Sequence, residues 1–407
     1  MPSISDRLKS LGVQIGAQNL PSPERASFPI ETVVDGQFLQ TPFGQAFVVE
    51  SRYPPGHNQG KARLNLDASL HTIAAWAGEP RLLDLHPGSF VFLDTETSGL
   101  AGGTGTYAFL IGVGRFTEQD FRLAQYFMCD PVEEPAHLAA FNQFLGSHDG
   151  LVTFNGKAFD VPLLNTRFIT NGEKSPLAAA AHLDLLPLAR RLWRDRLPSR
   201  ALGYLEEHIL QVKRTHEDVP GWLIPIMYFD YLRNGDARPL KKVFYHNAMD
   251  ILSLAALLNH VAAILAEPMS GRVDHPVDLV AIGKLFEDLG HVETSASLYA
   301  FALDQDLTED SRRDALQRWS FLEKRRGNFI QAIDLWRQAA GRKEIYACEE
   351  LAKYYEHREG DFQQACKWTE EALTFINSSI YSRLERQQWI PLLNHRLSRL
   401  QRKINRS

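Results

Sequence analysis

Two acids, two residues apart, close a strongly apolar run: Phe90-Val91-Phe92-Leu93 leads into Asp94-Thr95-Glu96-Thr97. On a strand, side chains i and i+2 share a face, so Asp94 and Glu96 point the same way. Carboxylates on one face at a buried strand end lose hydration and repel each other, and a divalent cation is the economical compensation. A further acid closes Leu151-Val152-Thr153-Phe154-Asn155-Gly156-Lys157-Ala158-Phe159-Asp160, where a strand runs into an Asn-Gly turn and Asp160 opens a helix. Taken alone, Asp160 fits a helix cap and Asn155 a turn former. The third segment, Val243-Phe244-Tyr245-His246-Asn247-Ala248-Met249-Asp250, reads as helix, which sets His246 and Asp250 on one face at i and i+4. An imidazole one turn from a carboxylate suits a general base that activates water; the same pair alone also fits a surface ion pair. Together these are four acids on three elements. That arrangement suits two divalent ions, about 3.5–4 Å apart, holding a scissile phosphate.

The elements that must position these residues follow from periodicity. Residues 89–130 carry three strand signals, SFVFLDTET, TYAFLIGVGRF and FRLAQYFM, the last alternating as a half-buried strand does. A helix over Glu134–Leu145, a strand at GLVTFN, a helix from about Phe159 to Ile169 and a short strand at HLDLL come next, then helical patterns through Leu265. The order predicts an α/β fold with a mixed sheet flanked by helices, over residues 81–268. Residues 1–80 read as an appended N-terminal extension, with a loop at Pro21–Pro29 and a hairpin around Thr41-Pro42-Phe43-Gly44.

Residues 277–407 differ. Gly290, Gly327 and Gly360 lie 37 and 33 residues apart, and Ala296 with Tyr299, Ala332 with Trp336, and Ala365 with Trp368 follow them in register. A glycine that stops one helix and an alanine that lets the next pack closely predict an all-α helical-repeat domain, similar to tetratricopeptide repeats. Such surfaces suit a protein partner. The basic tail from Arg396 to Arg406 reads as a solvated helix end.

The chain has 407 residues, a net charge of −5 and 44% hydrophobic content, which predicts two or three globular domains and excludes a globally basic nucleic-acid binder. Three cysteines without metal spacing, and an N-terminus without an apolar leader core, predict a cytoplasmic protein. The longest apolar run, Ile251–Ala266, is broken by Asn259 and His260 and reads as a buried helix with no membrane partner.

Other segments have two readings. The Gly-rich stretch from Thr97 through Gly99 to Gly105 lacks the phosphate-loop pattern; it is either a turn or a backbone cradle for a terminal nucleotide. Arg190, Arg191, Arg194, Arg196 and Arg200 surround Trp193 within eleven residues. They suit phosphate binding and base stacking, or a solvated helix face. His182 and Asp184 share a strand face, with a structural hydrogen bond the preferred reading. His57 reads as a turn residue.

The segments DTETSGL, FNGKAFD and HNAMD resemble the DEDD 3′–5′ exonucleases of ribonuclease H-like fold, and HLDLLPLARRLWRDRLPSRALGYLEEHIL and DVPGWLIPIMYFDYLRNGD resemble the YprB-like branch. The resemblance covers about residues 85–265. It implies two Mg²⁺ or Mn²⁺ ions held by Asp94, Glu96, Asp160 and Asp250, and cleavage of DNA or RNA from a single-stranded 3′ end. It further implies substrate contacts at Thr97, Gly99 and Asn155. That superfamily places its base as a Tyr four before the last Asp or a His five before it; here His246 is four before and Tyr245 five before. Helical geometry favours His246 as the base. The rival reading is an inactive nucleic-acid or protein scaffold that acts through the helical repeats.

Overall fold

The computed structural model describes residues 28–99, 105–378 and 381–405. The chain forms two compact units: one up to Pro187 together with Ala201–Ala262, the other Leu188–Arg200 with Ala263 onward.

The first unit is built on a seven-stranded mixed sheet. Its strands are β1 (Gln37–Thr41), β2 (Gly44–Tyr53), β5 (Phe90–Thr97), β6 (Ala108–Phe116), β7 (Phe121–Phe127), β8 (Gly150–Thr153) and β9 (Ala181–Asp184). Two short strands, β3 (Asn58–Gln59) and β4 (Ala62–Arg63), pair separately. The order is β1-β2-β7-β6-β5-β8-β9, with β5, β8 and β9 parallel and the rest antiparallel. The hairpin forms around Thr41–Gly44, where Thr41 Oγ1 donates to Gly44 O at 2.8 Å. It is not an appended extension: β2 pairs with β7 along its length, from Phe47–Phe127 to Tyr53–Phe121. Most of the loop expected at Pro21–Pro29 lies outside the described residues. β7 is buried on both faces save Arg122, not half-buried. Its polar positions have partners: Arg122 pairs with Glu50 at 2.7 Å, and Gln125 donates to Phe244 O at 2.8 Å.

Helices cover both faces. α1 (His71–Ala77) precedes β5. α2 (Glu134–Leu145) and α3 (Asp160–Thr170) pack Phe141, Leu164 and Phe168 against Val91, Leu93, Ile111 and Val113. A buried ion pair joins the two helices, Arg167 to Glu134 at 2.6 Å. After α4 (Leu185–Trp193) and α5 (Leu202–Leu205), α6 (Ile224–Asn234) and the start of α7 (Lys241–Ala266) cover the other face. There Tyr228 stacks on Phe109 at 3.9 Å. α7 can lie close because β6 has Gly112 and Gly114 beneath it. A Cβ at Gly112 would stand 2.2 Å from Asn247 Oδ1, and one at Gly114 would stand 2.7 Å from Ile251. Among the described residues α7, with the turn before it, is long and apolar enough to cross a membrane, yet its residues from Ile251 to Leu258 are buried in protein.

The second unit is helical: α8 (Pro276–Asp288), α9 (Val292–Leu303), α10 (Glu309–Arg326), α11 (Phe329–Gly341), α12 (Ile345–Tyr354), α13 (Phe362–Ile376) and α14 (Arg383–Ile404). Gly290, Gly327 and Gly360 all adopt the left-handed conformation, with φ of 79°, 77° and 68°, where glycine ends a helix at least steric cost. Ala296, Ala332 and Ala365 are buried, as the repeat spacing requires. The basic tail is not merely solvated. Arg396, Arg399 and Lys403 all close on Glu356, at 3.0, 2.7 and 2.9 Å, and its side chain has no exposed surface.

Candidate active site

The apolar part of β5 is sheet core, and its acidic end emerges where β8 stops pairing with it: the parallel register ends at Phe92–Val152. Asp94 and Glu96 therefore leave the strand on the face that α7 covers. Asn247, fully buried on α7, donates through Nδ2 to Asp94 Oδ2 at 2.9 Å. Gln125 Nε2 donates to Asn247 Oδ1 at 3.0 Å, which fixes the amide the right way round. Thr95, on the opposite strand face, donates its hydroxyl to Asp160 Oδ1 at 2.5 Å. Asp160 is the first residue of α3, and its carboxylate accepts from Thr95 on β5.

The four acids share one electrostatic environment. Burial pushes Asp94 well above the carboxylate range, and Asp250, Asp160 and Glu96 add to it. Glu96 is pushed up to about 8, first by burial; His246 works against the rise, while Asp250 and Asp160 add to it. Asp160 is raised to about 6 by burial, against the bond from Thr95. Such carboxylates favour any cation that replaces the proton. They are hard oxygen donors, the set that suits Mg²⁺ or Mn²⁺. Among the described residues no three metal-binding side chains stand close enough to grip an ion unaided.

His246 faces this centre. Its Nε2 lies 3.6 Å from Asp250 Oδ2 and 3.9 Å from Glu96 Oε1. On the other side Nδ1 lies 2.7 Å from Asp218 Oδ1. A carboxylate only accepts, so Nδ1 carries the proton there, and the Nε2 edge of the ring faces the acids. Arg214 Nη1 is 3.0 Å from the same Nδ1 and has Asp218 as its own acceptor at 3.3 Å. Burial opposes charging His246, but Asp250, Glu96 and Asp218 outweigh it and raise its pKa. The exchanged positions of Tyr245 and His246 acquire a physical account: Tyr245 Oη accepts from Thr215 N at 3.1 Å and pins the loop that carries Arg214.

Arg214, Asp218, Glu206 and Asn247 escaped the sequence reading. The signal for three of them was a dense mixed-charge stretch, LEEHILQVKRTHEDVPG, ending in Pro-Gly. With Gly203, Val212, Lys213 and Pro220, residues Arg214, Asp218, His246 and Asp250 line a cavity of about 660 Å³.

The expected substrate contacts divide. Thr97 donates to Gly99 O at 2.9 Å, and Ser98 bonds Tyr107 twice, so both ends of the Gly-rich stretch are pinched together. Residues 100–104 lie outside the described residues. Asn155 takes the turn role: its φ is 66° and its N–H donates to Asp184 at 2.8 Å. Asp184 also accepts from Lys157 N at 3.1 Å, so it shapes the loop into Asp160. His182 bonds Thr153 at 2.9 Å, a structural role. Trp193 corrects the stacking expectation, because only 1% of it is exposed and no base can reach the ring. Arg191 is engaged by Asp288, and Arg196 by Asp278 at 2.8 Å, all within the second unit. Arg190 is exposed.

A mixed sheet carrying acids at the end of an inner strand, with a helix bringing the last acid back across, defines a ribonuclease H-like protein. The RNase_H superfamily model matches residues 91–262, and the chain belongs to that superfamily, in its YprB-like branch. It is 31% identical over 367 residues to the uncharacterized protein YprB of Bacillus subtilis (strain 168), covering 88% of this chain and 86% of that protein. Among solved structures it matches the family B DNA polymerase from Pyrobaculum calidifontis at 16% identity and a TM-score of 0.32, over 52% of this chain and 29% of that one. The family places the chain among nuclease-related, nucleic-acid-binding proteins.

Proposed function

We propose that this protein is a metal-dependent nuclease that hydrolyses phosphodiester bonds, acting as a 3′–5′ exonuclease on a single-stranded end. The observation that carries the reading is that Asp94, Glu96, Asp160 and Asp250 lie within electrostatic reach of one another, with His246 Nε2 3.6 Å from Asp250 and 3.9 Å from Glu96. Asp94, Glu96, Asp160 and Asp250 would hold two Mg²⁺ or Mn²⁺ ions. When bound, these supply charge neutralisation at the phosphate and lower the pKa of the attacking water.

The rest is work for the chain's own side chains. Asn247 and Thr95 hold Asp94 and Asp160 in place against their mutual repulsion. Asp218 fixes the His246 tautomer, so Nε2 takes the proton from the water. The positive charge that forms on the ring is stabilised by Asp218 and Asp250.

The test is cleavage of 5′-labelled single-stranded DNA and RNA with Mn²⁺, Mg²⁺ or EDTA, for wild type and Asp94→Ala. A metal-dependent ladder that shortens from the 3′ end, absent in the variant, is the expected result. Undiminished cleavage by Asp94→Ala, or none by wild type with any ion, overturns the reading.

A further inference from the structure

One cation in the acidic centre belongs to the chain itself. Arg214 lies in the irregular stretch between Leu210 and Gly221. Its guanidinium forks onto Glu206, Nε to Oε2 at 2.6 Å and Nη2 to Oε1 at 2.7 Å, and Glu206 is buried. A bidentate carboxylate grip of this kind fixes both position and orientation. The remaining N–H groups reach Asp218 and Asp250.

The stretch is anchored from behind. Lys61 N donates to Leu210 O at 2.7 Å, and a Cβ at Gly60 would stand 2.0 Å from that same oxygen. Val212 N donates to Glu206 O at 2.9 Å. With Tyr245 holding Thr215 N, Arg214 is flanked by backbone bonds on both sides. It is a built contact, unlike a surface arginine that meets an acid in passing.

Asp250 Oδ1 is thus already paired with a tethered guanidinium, and a divalent ion needs the same carboxylate. We infer that Arg214 is the resident counter-ion of Asp250 and competes with the divalent cation for it. The inference rests on the proposed role of Asp250 as a metal ligand. Loading an ion breaks the Arg214–Asp250 contact, while the fork on Glu206 keeps the displaced guanidinium in the cavity. Two ligands that exclude each other at one carboxylate are negatively coupled, and the coupling is reciprocal.

The experiment is calorimetric titration with Mn²⁺ of wild type, Arg214→Gln, Arg214→Lys and Asp94→Ala, with melting of each in EDTA. Arg214→Gln removes the competitor, so Mn²⁺ binds it more tightly, within the roughly 5- to 150-fold span usual for coupled ligands, and it melts below wild type in EDTA. Arg214→Lys keeps the charge and the fold but loses the fork; it also binds Mn²⁺ more tightly than wild type, by a smaller factor. Equal or weaker Mn²⁺ affinity in both Arg214 variants, with binding by wild type and loss of it in Asp94→Ala, overturns the inference and leaves the metal-site reading standing. A wild type that takes up no Mn²⁺ overturns both.

Discussion

Replacing Glu96 by glutamine should stabilise the protein in EDTA, and by an amount that grows with pH. Its carboxyl has a pKa of 4.5 in an unfolded chain and about 8 in place, chiefly from burial. Between those values the folded state binds the proton and the unfolded state does not, so stability falls as pH rises across the window. At about 1.4 kcal/mol per pKa unit, the carboxyl costs the fold on the order of 1 kcal/mol near pH 5.5 and roughly 4 kcal/mol near pH 8.5. The substituted amide keeps the shape and has no proton to lose. Urea unfolding at the two pH values, in EDTA, should show the advantage of Glu96→Gln over wild type widening by about 3 kcal/mol. The same variant should lose metal-dependent cleavage. An advantage that stays flat, or shrinks as pH rises, would refute the claim that Glu96 is buried among like charges.

Two further outcomes are expected. Asp218→Asn withdraws the carboxylate that supports protonated His246, so the acidic limb of kcat/KM against pH moves to lower pH; turnover falls about 10–100-fold, less than the 100-fold or more expected for His246→Ala. An unmoved limb would mean that Asp218 does not tune the base. Trp193→Ala should cost about 3–5 kcal/mol of stability in the second unit, as loss of a buried indole does. Its affinity for single-stranded nucleic acid, measured by fluorescence anisotropy below the melting temperature, should stay at the wild-type value; a selective loss of binding would restore the stacking role.

What was legible in the sequence was local. Asp94-x-Glu96 announces itself because strand alternation and the preceding apolar run are both visible within eight residues. The pairing of His246 with Asp250 follows from one helical turn. The repeat glycines were legible because a left-handed helix end leaves little choice of residue. Arg214 and Asp218 were not, because they sit in an irregular loop whose path depends on Gly60 and Tyr245, residues far away in sequence. Trp193 misled for a related reason: arginines around an indole look the same whether the ring faces solvent or core, and only packing decides. The tail basics needed Glu356, 40 residues before Arg396, to be given partners.

The β1–β2 hairpin also bears on how the chain folds during synthesis. Beyond its hairpin partner β1, β2 pairs with β7, Phe47 opposite Phe127 and Tyr53 opposite Phe121. The hairpin therefore waits for a long stretch of chain to emerge, and such non-local pairings close slowly. Until it docks, β7 presents a bare and almost wholly apolar edge, the kind that recruits other chains. A fragment trimmed to begin just before Phe90 would keep all four acids and still aggregate, because the first strands serve as the sheet's edge guard.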